Sequence, residues 1–267
     1  MDRARVFHEL HTSGCFVMPN PWDVGSARAL VTLGFKALAT TSAGFAWSIG
    51  RPDGGVTLDE AIAHLRAMAA AVNVPINADF EGGFAIDPDD VAANVSRAVA
   101  TGIAGLSIED STHDAAEPLF ERALAVERVR AARRAIDASG TGVVLTGRSE
   151  GFISGRPDLQ ETIARLVAYA AAGADCLYAP GLTSLSDIAA VVKAVAPKPV
   201  NALVHMPFAT VQQISDIGVR RISVGGALAR TAWSAALDAA QEIATSGSFA
   251  KIGGSRSGAV LNGMFRS

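Results

Sequence analysis

The feature that most limits the fold of this chain is an alternation repeated eight times: a short apolar run, then a longer, Ala-rich amphipathic stretch. The runs are CFVMP (15–19), ALAT (37–40), VPINADF (74–80), GLSIED (105–110), VVLTGR (143–148), CLYAP (176–180), VNALV (200–204) and RISVG (221–225). Each is too short for a helix and apolar on both faces, which predicts a buried parallel strand. The stretches between them carry helix punctuation. Thr57, with Glu60 three residues later, predicts a capping box for a helix over 57–72. Asp87 followed by Pro88 opens another over 87–102, and a third over 158–175 ends at Gly173. Strand then helix, eight times over, predicts an α/β fold of the (β/α)8 TIM-barrel type. A doubly wound open sheet is the rival; no GxGxxG follows the first run, and eight strands suit closure. No Pro/Gly/Ser-rich linker interrupts the middle of the chain, so residues 1–267 are expected to form a single domain. Residues 247–267 are Gly/Ser-rich and are expected to be a loosely held or docking tail.

Composition narrows the function. With 23 Lys+Arg against 26 Asp+Glu the net charge is −3, and aromatics are only 6%. A nucleic-acid partner would need a basic face or a stacking platform, so none is expected. No apolar run is long enough for a membrane span, and the first residues, MDRARVFHELHTSG, lack the apolar core of a signal peptide. Cys15 and Cys176 are far apart and form no CxxC or zinc pattern, so a reducing cytoplasm is the expected setting.

A barrel gathers its chemistry at the C-terminal ends of its strands. There this sequence places Asp79, Glu81 and a Gly pair after the third run, Glu109-Asp110 after the fourth, and Arg148 and Glu150 after the fifth. Asp53 follows the second, Trp22 and Asp23 the first, and His205 the seventh. Clustered carboxylates repel and are costly to desolvate unless paired or metal-bound. An all-oxygen set suits Mg²⁺, or Mn²⁺, rather than zinc. Arg148 in an acidic mouth reads either as a salt bridge or as the partner of a substrate carboxylate. Ser42-Ala43-Gly44 reads either as a plain turn or as a nest of backbone N–H groups that would hold an anion.

Taken in order, PNPWDVGSARAL, TTSAGF…GRPDGG, NADFEGGF, SIEDS and GRSEGF resemble the isocitrate lyase / phosphoenolpyruvate mutase superfamily over residues 8 to 235. The resemblance implies a (β/α)8 barrel whose eighth helix swaps onto a neighbouring subunit, giving a dimer or tetramer. It also implies a Mg²⁺-bound 2-oxo acid or its enolate as the reacting species. Carried over residue by residue, Asp79 is the principal metal-binding Asp, Glu81 stands where many members have a second Asp, and Glu109 completes the metal set. Ser42, Ala43 and Gly44 correspond to the carboxylate-holding loop, Asp53 to an aspartate near the reacting end, and Arg148 to the arginine on the substrate oxygens. Trp22 and Asp23 match a PxxWD start. The chain departs from the family after the fourth run, where lyases carry KKCGH and the mutase carries a Lys and an Asn. Here the segment reads EDSTHDAAEPLFE. His113 is its only group that titrates near neutral pH, and is a candidate acid/base alongside His205. The expectation is a Mg²⁺-dependent lyase or decarboxylase acting on a small 2-oxo or 2-hydroxy carboxylic acid. The alternatives are phosphonate P–C bond cleavage, and a barrel that binds such acids with little turnover.

Overall fold

The computed structural model describes residues 2–266. In chain order the elements are α1 (Arg3–Leu10), β1 (Phe16–Met18), α2 (Val24–Thr32), β2 (Leu38–Ala39), α3 (Ser42–Ser48), α4 (Leu58–Ala71), β3 (Ile76–Asp79) and α5 (Pro88–Val99). They continue with β4 (Gly105–Glu109), α6 (Arg122–Ser139), β5 (Val144–Arg148), α7 (Leu159–Ala171), β6 (Cys176–Tyr178), α8 (Leu185–Val195), β7 (Val200–Leu203), α9 (Val211–Asp216), β8 (Arg221–Ser223), α10 (Ala227–Ser246) and α11 (Gly258–Met264). All eight apolar runs are strands, each trimmed at one or both ends. The capping box at Thr57–Glu60 forms, and Asp87 and Asp158 cap α5 and α7.

The strands are parallel and lie in the order β1-β8-β7-β6-β5-β4-β3-β2. Across the remaining seam, between β1 and β2, the Ala39 N–H donates to the Pro19 carbonyl at 3.1 Å. The sheet is therefore a nearly closed (β/α)8 barrel. The core lies between strands and helices, as where Val91, Val95 and Ala98 of α5 join Ala125, Val129, Ala132 and Ile136 of α6. The amino-terminal end of the barrel is plugged by α1. A side chain at Gly105 would sit 2.6 Å from the Phe7 ring, so that glycine leaves Phe7 the room to enter.

The C-terminal part of the chain has two further features. The tail is not featureless: a 3-10 turn over Ala250–Gly254 precedes α11, which lies against α2. Glu242 holds this turn by accepting from the Ser248 hydroxyl at 2.7 Å and the Lys251 N–H at 2.8 Å. The helix after β8 does not cover its own barrel. Of the twenty residues of α10 only Ala229 is buried, and Trp233, Leu237 and Ile243 face outward. Among the described residues, no helix is long and apolar enough to cross a membrane.

Candidate active site

The third, fourth and fifth strands end side by side, which brings their terminal polar residues together. Asp79 accepts from the Arg148 Nη1 at 3.0 Å through one oxygen and from the Ser42 N–H at 2.9 Å through the other. Glu109 lies 3.2 Å from the same Nη1. Glu150 takes the rest of the guanidinium: it accepts from Nε, and from Nη2 at 3.1 Å. One arginine thus faces three carboxylates, stacked 5.2 Å above the Tyr178 ring.

Glu81 joins them from a tight left-handed turn (φ 47°), formed where Gly82-Gly83 follow β3. Burial, with Asp79 and Asp53 nearby, pushes its carboxyl up to about 7 against the pull of Arg148. Burial raises Glu109 well above the carboxylate range; Arg148 opposes, while Glu150, Asp79 and Glu81 add to the rise. Burial disfavours the charge on Arg148, but Glu109, Glu150 and Asp79 more than offset it, so its proton is held.

The carboxylates are braced from behind. Asp110 is buried, and accepts from the Glu150 N–H at 2.7 Å, the Tyr169 hydroxyl at 2.6 Å and the Arg165 Nη1 at 3.2 Å. Arg165 also donates to the Phe120 carbonyl at 2.8 Å, fixing the end of the segment that follows β4. Buried Arg128 donates to the Gly82 and Ala85 carbonyls and lies 3.9 Å over the Phe120 ring.

A cavity of about 170 Å³ opens at this end of the barrel, and Ser42, Ala43, Asp53, Asp79, Arg148 and His205 all line it. Arg230, from the first turns of α10, lines it too and donates to the His205 carbonyl at 3.0 Å. Three sequence expectations are corrected. Trp22 does not line this cavity; it packs behind α3, where a side chain at Gly44 would meet the Trp22 Cβ at 2.9 Å. Gly44 is buried and equally absent from the wall. Ser42-Ala43-Gly44 is neither a loose turn nor an open nest but the first turn of α3. Its Ser42 N–H is taken by Asp79 and its Gly44 N–H by the Thr41 hydroxyl at 3.3 Å. Asp23 serves as the cap of α2.

His113 is brought to the carboxylates but not to the main cavity. Its Nε2 lies 3.5 Å from Glu109 and 3.8 Å from Glu81, over a neighbouring recess lined by Gly82, Phe84 and Arg128. The segment that carries it is closed on itself: Ser111 pairs with Leu119, and the Thr112 N–H donates to the Pro118 carbonyl at 3.0 Å. Sequence position places Glu150 and Asp110 here but does not single out Arg165, Arg128 or Arg230. For Arg230 the available signal was a basic residue in the first turn after β8.

Among the described residues no three carboxylate or imidazole groups converge as a ready coordination shell. The donor chemistry nonetheless fits a hard divalent cation. The cluster offers mainly carboxylate oxygens, with the His113 imidazole at its edge, and it holds more carboxylates than the one guanidinium that faces them.

The phosphoenolpyruvate phosphomutase family model matches residues 7–244. An uncharacterised Mycobacterium tuberculosis protein is 35% identical over 221 residues, 82% of this chain and 81% of that protein. The oxaloacetate decarboxylase of a Bradyrhizobium strain is 31% identical over 72% of this chain and 68% of its own. Among solved structures, a Burkholderia cenocepacia protein provisionally described as a lyase/mutase superposes with a TM-score of 0.96 at 44% identity, covering 99% of this chain and 96% of that one. The chain is an enzyme that belongs to the phosphoenolpyruvate phosphomutase family, within the isocitrate lyase / phosphoenolpyruvate mutase superfamily.

Proposed function

We propose that this enzyme is a Mg²⁺-dependent carbon–carbon lyase or decarboxylase that acts on a small 2-oxo or 2-hydroxy carboxylic acid and leaves a pyruvate-type enolate. The observation that carries the reading is the surplus of carboxylates around Arg148, which with Asp79 lines a cavity sized for a small acid. Asp79, Glu81 and Glu109 would hold the cation, with Asp53 nearby; when bound, it supplies Lewis-acid stabilisation of charge developing on the 2-oxo oxygen. Arg148 holds and orients the substrate oxygens, and Glu150 fixes the plane of its guanidinium. Ala43 offers the one first-turn N–H of α3 without an acceptor among the described residues, and with Ser42 it orients the carboxylate end. Decarboxylation of a 2-oxo diacid needs no base for the bond-breaking step, only a proton donor for the enolate. This suits a segment after β4 that lacks the lyase Cys. His205 lines the cavity and is the candidate donor; His113 acts through Glu81 and Glu109.

Relatives named for these chemistries support the reading. They include 2-methylisocitrate lyase of Escherichia coli, oxaloacetate decarboxylase, and the 2,3-dimethylmalate lyase and oxaloacetate acetylhydrolase structures. The proposal includes a dimer or tetramer in which the exposed apolar face of α10 is covered by a second copy. It also includes a cytoplasmic setting, in keeping with the free thiols of Cys15 and Cys176.

The test is pyruvate release from a panel of 2-oxo and 2-hydroxy diacids, with Mg²⁺ and with a chelator. Cation-dependent release supports the proposal. Phosphate release from phosphonopyruvate alone would support the P–C alternative, which the family model's name keeps in view. Calorimetric binding without product would support the weakly catalytic one. Within that assay His205→Gln should lower turnover about 100-fold, more than His113→Ala; the reverse order would move the proton donor to the segment after β4.

A further inference from the structure

Below Asp79 the barrel interior is polar rather than apolar. Asn77, Ser107, Asn201, Ser223 and Arg221 line the lower part of the cavity, one layer beneath the carboxylates. Arg221 is almost wholly buried, at 1% exposure. Its Nε donates to the Asn201 Oδ1 at 2.9 Å and one Nη to the Thr146 hydroxyl at 3.0 Å. The other Nη lies 3.4 Å from the His11 Nε2 and 3.5 Å from the Asn77 Oδ1.

Every one of these partners is neutral. His11 is pushed down to about 3 by burial and by Arg221 itself, so it carries no charge at neutral pH. Cys176, close by, has its thiol raised by burial and stays protonated. Phe7 presents only its ring, 6.0 Å away. No carboxylate oxygen among the described residues comes within 4.0 Å of the Arg221 guanidinium. A buried guanidinium without a counter-ion is expensive to keep. Arg148, in the same cavity, has three carboxylates.

We propose that Arg221 makes the floor of this cavity a subsite for one carboxylate group, which arrives with the ligand and supplies the missing counter-charge. Asn201 and Ser223, hydrogen-bonded to each other at 2.9 Å, complete its polar wall. Two sources share this chemistry: the second acid group of the substrate, which rests on the proposed function, and a free small carboxylate, which does not.

The probe is ¹³C-formate, observed by NMR with the intact protein and no added metal. Saturable line broadening is expected with the wild type. Arg221→Gln should weaken formate binding at least tenfold, and Arg221→Lys should keep part of it. Because Arg221→Gln risks the fold, Asn201→Asp carries the test independently. It sets a carboxylate where Asn201 now accepts from Nε, so it should raise the melting temperature and abolish formate binding. No saturable broadening with the wild type, or unchanged binding in Asn201→Asp, overturns the proposal. A tenfold rise in KM for a diacid substrate in Asn201→Asp assigns the subsite to the substrate's acid group. Lost formate binding with an unchanged KM assigns it to a free carboxylate. A wild type that binds formate but turns over no oxo acid defeats the proposed function and leaves the subsite standing.

Discussion

The rim and the floor of the cavity are electrostatic opposites. At the rim, the ends of β3, β4 and β5 press Asp79, Glu109 and Glu150 around one guanidinium with Glu81 beside them, and burial, aided by the neighbouring carboxylates, drives Glu81 and Glu109 up. At the floor, Arg221 sits among amides, a hydroxyl and a neutral imidazole. The rim lacks positive charge and the floor lacks negative charge. A small acid with a divalent cation would bring both, which ties the function to the imbalance rather than to any one residue.

The comparison can be broken first behind the rim, where Asp110 is fully compensated by Arg165, Tyr169 and the Glu150 N–H. Asp110→Asn should destabilise the protein by about 3 kcal/mol in urea unfolding, because Arg165 then keeps only Glu161 as a carboxylate partner and the Tyr169 hydroxyl and Glu150 N–H lose a charged acceptor. A neutral outcome would mean that the carboxylates are not braced from this side. Next, Glu150→Gln loosens the clamp on Arg148. Turnover should fall about 10- to 100-fold with little change in the melting temperature, as for a group acting through its neighbour.

A pH titration sharpens the contrast. Glu81 has a folded-state value of about 7 against an ordinary 4.5. Between those values the unfolded chain has released a proton that the folded protein still holds. Cation-free stability should therefore fall as pH rises from 4.5 to 7, by at most about 1.4 kcal/mol per pH unit. Mg²⁺ added above pH 7 should recover it; a flat profile would remove the surplus charge from the account. The smallest effect is expected of Glu109→Gln, which replaces a buried carboxyl whose charged form burial disfavours. It should stabilise the cation-free protein by about 1 kcal/mol, opposite in sign to Asp110→Asn.

Much of the rim was legible in the sequence because parallel strands of a barrel end together, so the residues closing the third, fourth and fifth apolar runs had to meet. Asp79, Glu81, Glu109 and Arg148 follow from position alone. What position does not fix is where a side chain turns. Trp22 follows β1 as expected, yet packs behind α3, and Gly44 is enclosed by Thr41 and Trp22. The segment after Thr41 reads as a turn because seven residues give too little periodicity to mark a helix. Arg221 was passed over for a different reason. It stands at the start of its strand, away from the C-terminal ends where a barrel gathers its chemistry, and its inward aim is fixed by Asn201 and Thr146 on other strands.

If the proposed function is right, the acidic rim holds a divalent cation. Mn²⁺ binding followed by electron paramagnetic resonance, in the wild type and in Asp79→Asn, tests it most directly. The account predicts one tightly held ion per chain, displaced by Mg²⁺ and lost in the variant. Binding that is absent in the wild type, or equally tight in Asp79→Asn, would contradict it.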